Sequence, residues 1–164
     1  MTKVLGFAAA SLVLVVGMAV AGDPPDVKEG LWSIHRLTIE NPGNKKSENT
    51  STICRNHAYD QHVLALSKNV KGCTAINQSS EGSKYSEEMR CVVANTVVVT
   101  KGTTTYSGDA AAHAETHATY TPALAGMTEM TMIVDQRYAG SCPPGAQPGD
   151  LTTADGRVNH LWKH

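Results

Sequence analysis

Cys91-Val92-Val93-Ala94-Asn95-Thr96-Val97-Val98-Val99-Thr100-Lys101 opens the stretch that decides the fold, and Arg137-Tyr138-Ala139-Gly140-Ser141-Cys142-Pro143 closes it. Between the two cysteines lie three alternating segments rich in Thr and Val, and β-branched side chains at that density favour strands. Thr96 to Tyr106 predicts one strand, with Gly102 read as a bend or bulge within it. Ser107-Gly108-Asp109 turns the chain, and Ala111 to Thr121 runs back. Thr128 to Tyr138 predicts the last strand, with Met130, Met132, Val134 and Tyr138 on one face. Just upstream, Lys84 to Val93 shows the cleanest alternation. Tyr85, Met89, Cys91 and Val93 share one face with Glu87 among them, while Lys84, Ser86, Glu88 and Arg90 take the other. This is the pattern of a half-buried antiparallel strand.

Working outward, Leu31 to Ile39 predicts the first strand, but its alternation is broken. Trp32 and Ile34 share one parity, Leu37 and Ile39 the other, so a β-bulge at His35-Arg36 is expected to bring all four to one side. Asn41-Pro42-Gly43-Asn44 is a turn, and polar Lys45 to Ile53 predicts an edge strand. Cys54 to Ser67 reads as the one helix, with Asn56 as cap and Tyr59, Val63 and Leu66 as a narrow apolar stripe. Lys68 to Gly72 supplies a basic, glycine-terminated end, and Cys73 to Ser79 predicts another strand. From Pro143 onward no core-forming periodicity is visible, and Trp162 is read with this tail in preference to docking on the domain. The fold class is therefore all-β: about seven antiparallel strands in a curved sheet or small barrel, with one short helix and two disulfides.

Export is expected from the N-terminus. Lys3 precedes an apolar run from Val4 to Val20, and Ala19-Val20-Ala21 offers the small-x-small site of a signal peptidase. The organisation is thus residues 1–21 as signal peptide, 22–142 as β domain and 143–164 as flexible C-terminal tail, with no membrane span once the signal is cleaved. Without Lys3 the 14 Lys and Arg of the chain become 13 against 15 Asp and Glu, a net charge of −2. That balance gives no electrostatic case for nucleic acid. Cys54, Cys73, Cys91 and Cys142 form an even set in an exported chain, which argues for disulfides over a zinc site. Of the three possible pairings, Cys54–Cys73 and Cys91–Cys142 are expected.

Gly30-Leu31-Trp32 at the first strand and Gly140-Ser141-Cys142 at the last, with the cysteines between them, resemble a bacterial family of small exported proteins called domain of unknown function thirty-six-seventeen. The resemblance covers roughly Lys28 to Pro144. Glu29 stands where the family has proline, and Ser141 where it has aspartate. The resemblance implies bacterial origin and export, and implies no activity. Gly30 and Trp32 are also similar to the Gly-x-Trp of lipocalins, which raises the idea of a ligand cavity.

His113, Glu115 and His117 alternate on one strand and project from one face, a donor set suited to zinc or copper. Ala112, Ala114, Thr116, Ala118 and Tyr120 form the opposite, packed face, so the three candidate metal ligands also fit a wet strand face. Glu87 and Glu88 are adjacent and point to opposite faces, which removes them as a catalytic pair. No nucleophile elbow, metalloprotease helix or phosphate-cradling glycine loop is present, and no cofactor is implied. The expected function is a non-enzymatic periplasmic or secreted module that binds a small apolar ligand or an envelope protein. Trp32, Tyr85, Met89 and Met130 are the candidate cavity residues. The alternatives are a small envelope enzyme and a metal-binding protein using His113, Glu115 and His117.

Overall fold

The computed structural model describes residues 22–162; the expected signal peptide at 1–21 lies outside them. Among the described residues, nine strands form one antiparallel sheet around a single helix. In chain order the elements are β1 (Gly30–Asn41), β2 (Lys45–Arg55), α1 (His57–Lys68), β3 (Cys73–Glu81), β4 (Lys84–Val93), β5 (Thr96–Ser107), β6 (Ala111–Leu124), β7 (Met127–Gly140), β8 (Asp150–Thr153) and β9 (Val158–His160). Their order across the sheet is β3-β4-β5-β6-β7-β1-β2-β8-β9. The chain lays down β1 and β2, crosses to the far edge through α1, and returns by the meander β3 to β7 until β7 pairs with β1.

Side chains from β4, β5, β6, β7, β1, β2 and β8 all line one cavity beneath α1. The sheet is therefore curled, with α1 lying across its concave side. Asn56 Oδ1 caps α1 by accepting from the Tyr59 N–H at 2.8 Å. Asp60 in the first turn and Lys68 in the last match the helix dipole. Tyr59 is the one buried residue of α1, and it joins Val27, Trp32 and Ile53 in the core. Val63 and Leu66, expected to complete the apolar stripe, are exposed.

The seven expected strands are all present, and two more lie in the segment expected to be a tail. β8 pairs with Ser51 to Ile53 of β2, and β9 pairs with β8. Both strands are too short to show a period, which is why the sequence pattern missed them. Trp162 docks as well: its ring lies 5.4 Å from His62, stacked, and 5.9 Å from Tyr59.

The disulfide pairing differs from expectation. Cys54 bonds Cys142, and Cys73 bonds Cys91. Register is the reason: Cys73 stands opposite Cys91 in the β3–β4 ladder. Cys54 stands opposite Leu31, which in turn stands opposite Gly140, so Cys54 and Cys142 meet across β1.

The register shift between β1 and β7 falls at Leu31/Trp32, where Ala139 of β7 is the extra residue, and the register runs unbroken through His35-Arg36. Leu37 and Ile39 therefore keep the parity opposite to that of Trp32 and Ile34. Gly102 marks no bulge: both of its ladders are continuous.

Candidate functional site

The residues that carry the family resemblance converge at one end of the sheet. Gly30 has φ +138°, and a Cβ there would lie 2.4 Å from the Gly140 carbonyl oxygen and 2.8 Å from the Tyr138 ring. Only glycine fits this approach of β1 to the end of β7. Trp32 is 0% exposed, and its indole N–H donates to the Lys28 carbonyl at 2.8 Å. With the Cys54–Cys142 bridge spanning the same strands, Gly30, Trp32, Gly140 and Cys142 form a structural clasp. Glu29, in the position where proline is usual, accepts a hydrogen bond from the His57 N–H at 3.0 Å and so supports the start of α1.

Above this clasp, between α1 and the concave face, lies a cavity of about 570 Å³. Small residues make the room. On the concave parity, register places Ala112 beside Tyr106, Ala114 beside Thr104 and Thr116 beside Gly102. The lining is mixed in polarity. Trp32, Ile34, Leu64 and Leu151 supply apolar wall. Arg55 braces the wall from β2: it donates to Asp60 Oδ1 of α1 at 2.9 Å and to Gln136 Oε1 of β7 at 3.0 Å, with its guanidinium 5.1 Å from the centroid of the Trp32 ring. Arg36, exposed, also lines the cavity.

Glu87 lies against the opposite wall. Its Cγ would be 3.4 Å from a Cβ built on Gly102, so the side chain lies over that glycine, next to Thr116. Burial raises its pKa, with no hydrogen bond or charge offsetting the effect. Tyr85 and Tyr106 line the same space, and burial pushes both phenols up; the Glu87 charge adds to the rise at Tyr85, while at Tyr106 the Arg55 charge opposes it. The cavity thus offers an apolar body, two phenols and one half-buried carboxylate that has no protein partner among the described residues.

Of the four expected cavity residues, Trp32 and Tyr85 line this space. Met89 instead lines a smaller hollow of about 250 Å³ under the end of α1. Met130 lies further along β7, its sulfur 3.9 Å from the Tyr120 hydroxyl. Arg55, Asp60 and Gln136 were not among the sequence candidates, because no local pattern links β2, α1 and β7. Glu87 did leave a signal: a charge on the apolar parity of β4.

His113, Glu115 and His117 occupy the exposed face of β6, as their parity requires. The three turn to different neighbours. The His113 ring meets Asp135 Oδ1 at 2.8 Å through Nδ1 and Glu115 Oε1 at 3.2 Å through Nε2, whereas His117 Nδ1 lies 3.4 Å from Thr131 Oγ1. The Asp135 bond first, then the Glu115 bond, raises the His113 pKa. Among the described residues no three His, Cys, Asp or Glu side chains are grouped to hold a metal ion. No helix among them is long and apolar enough to cross a membrane.

A family model described as "Protein of unknown function (DUF3617)" matches residues 27–142. The match takes in β1 to β7, α1 and all four cysteines, and stops before β8 and β9. No curated protein matches the chain.

Proposed function

We propose that this chain, which belongs to the DUF3617 family, is an exported non-enzymatic module that holds a small amphipathic molecule between α1 and the concave face of its sheet. The observation that carries the reading is the cavity of about 570 Å³ with its apolar wall and few convergent polar groups. Small-molecule sites are typically concave, largely preformed and of about 300–1,000 Å³. A packed core would have filled this space, because interiors close to about 0.75 density. Two disulfides suit an oxidising compartment, and the Ala19-Val20-Ala21 site supports delivery there.

Native mass spectrometry of the protein purified from its own envelope fraction tests both parts. A chain beginning at Gly22 with a bound small-molecule mass is the expected result. A retained leader would sink export. A ligand-free protein that also takes up no decanol in calorimetry would sink the binding role.

A further inference from the structure

Resting on that reading of the cavity, we propose that its ligand carries a protonated amine, seated on the Glu87 carboxylate beside Tyr85 and Tyr106. The three side chains line the same wall of the cavity. The Glu87 side chain is laid over Gly102, where the absent Cβ leaves it room, and it stays within the sheet's concavity. Among the described residues it has no hydrogen-bond donor and no cation, although Lys101 on β5 pairs with the neighbouring Glu88 on the opposite face.

A carboxylate taken from water without a partner is costly, and such groups in proteins are matched by a donor or a counter-ion. A ligand that fills the cavity displaces water from this half-buried carboxylate and has to supply the donor in its place. An ammonium provides both charge and N–H donors, and phenol rings and hydroxyls beside the carboxylate suit a cation further. The other charges on the lining do not compete for this role. Arg55 and Asp60 are paired with each other, and Asp26 is hydrogen-bonded to His57 at 2.7 Å. Arg36 is exposed, so water satisfies it and it places no demand on a ligand. An anionic ligand would have to lie in the same space as an uncompensated carboxylate.

The test uses three probes of one chain length, decylammonium, decanol and decanoate, titrated by calorimetry into the mature protein and its Glu87→Gln variant at neutral pH. Decylammonium is expected to bind the native protein about ten- to a hundred-fold more tightly than decanol, the range of a charge-assisted hydrogen bond. Decanoate should be the weakest. E87Q should remove the amine preference and leave decanol binding in place. Because E87Q keeps the side chain's shape and removes an unpaired charge, it should fold. Gly102→Val, which crowds Glu87 while keeping it, is the second variant and should lower decylammonium affinity selectively. If decanol binds and the amine preference is missing, or survives E87Q, the amine assignment is wrong while the cavity reading stands. If none of the three binds, both fail.

Discussion

Removing the two disulfides one at a time should cost unequal amounts. In the chain-entropy model a bridge stabilises by restricting the unfolded chain, by 2.1 + 1.5R ln n in entropy units for a loop of n residues. Cys54–Cys142 has a sequence separation of 88, which gives about 4.6 kcal/mol. Cys73–Cys91, with a separation of 18, gives about 3.2 kcal/mol. The Cys54 side chain is also fully buried, so replacing it forfeits up to about 1 kcal/mol of packing as well. Cys54→Ala/Cys142→Ala should therefore be the less stable variant, by roughly 1.5–2.5 kcal/mol relative to Cys73→Ala/Cys91→Ala. Urea unfolding of the two variants, with thiols counted in the denatured state, checks this directly. Each variant should show no free thiol. With the pairing Cys54–Cys73 and Cys91–Cys142, either double variant would instead expose two thiols and lose both bridges, and the two would be almost equally damaged. A larger loss in Cys73→Ala/Cys91→Ala would refute the loop argument.

Gly30→Ala should destabilise far more than Gly43→Ala in thermal unfolding: both have positive φ, but only Gly30 is crowded by neighbouring atoms. Ala112→Leu, which points into the cavity, should weaken decanol binding at least ten-fold in calorimetry while costing less than the ~1–3 kcal/mol typical of overpacking a filled core. For Glu87 burial raises the folded pKa above the ordinary 4.5, so the folded state holds the proton more tightly than the unfolded state. Stability should consequently fall as pH rises from about 4.5 through the folded pKa, and a pH series of urea unfolding curves should lose that component in E87Q. Tyr85 and Tyr106, the titratable neighbours, stay neutral throughout, since both are raised from 10.0. His113 is also raised, from 6.5, so its favourable bonds to Asp135 and Glu115 should be present below that pH and fade above it. His113→Ala should remove this increment, which stays small because the pair is exposed.

The strands were legible because alternation survives wherever one face is buried. β4, β6 and β7 carry it plainly, and β6 even declares its small-residue floor as Ala112, Ala114, Thr116 and Ala118. What was not legible depends on register. Cys73 meets Cys91 because β3 and β4 pair, and no spacing rule encodes that. The parity break at Leu37 and Ile39 predicts a bulge at His35-Arg36, yet those residues keep the opposite face and the extra residue is Ala139 of β7. β8 and β9 take their order from β2, beside which they lie, and not from any periodicity of their own. The site divides in the same way. Trp32 and Tyr85 follow from parity, whereas Arg55, Asp60 and Gln136 meet only once three separate elements have assembled.

The path of α1 has a kinetic consequence. It joins β2 to β3, which lie six places apart in sheet order, with the Arg55–Asp60 pair holding its start and the Cys73–Cys91 bridge fixing the strand at its far end. A flap hinged at one end can swing clear of a binding site; a strap tied down at both ends cannot. Guests therefore enter and leave with α1 in place, past the exposed rim that Arg36, Val63 and Leu161 supply. Association rates should accordingly vary little from guest to guest, and differences in affinity should appear in the dissociation rate.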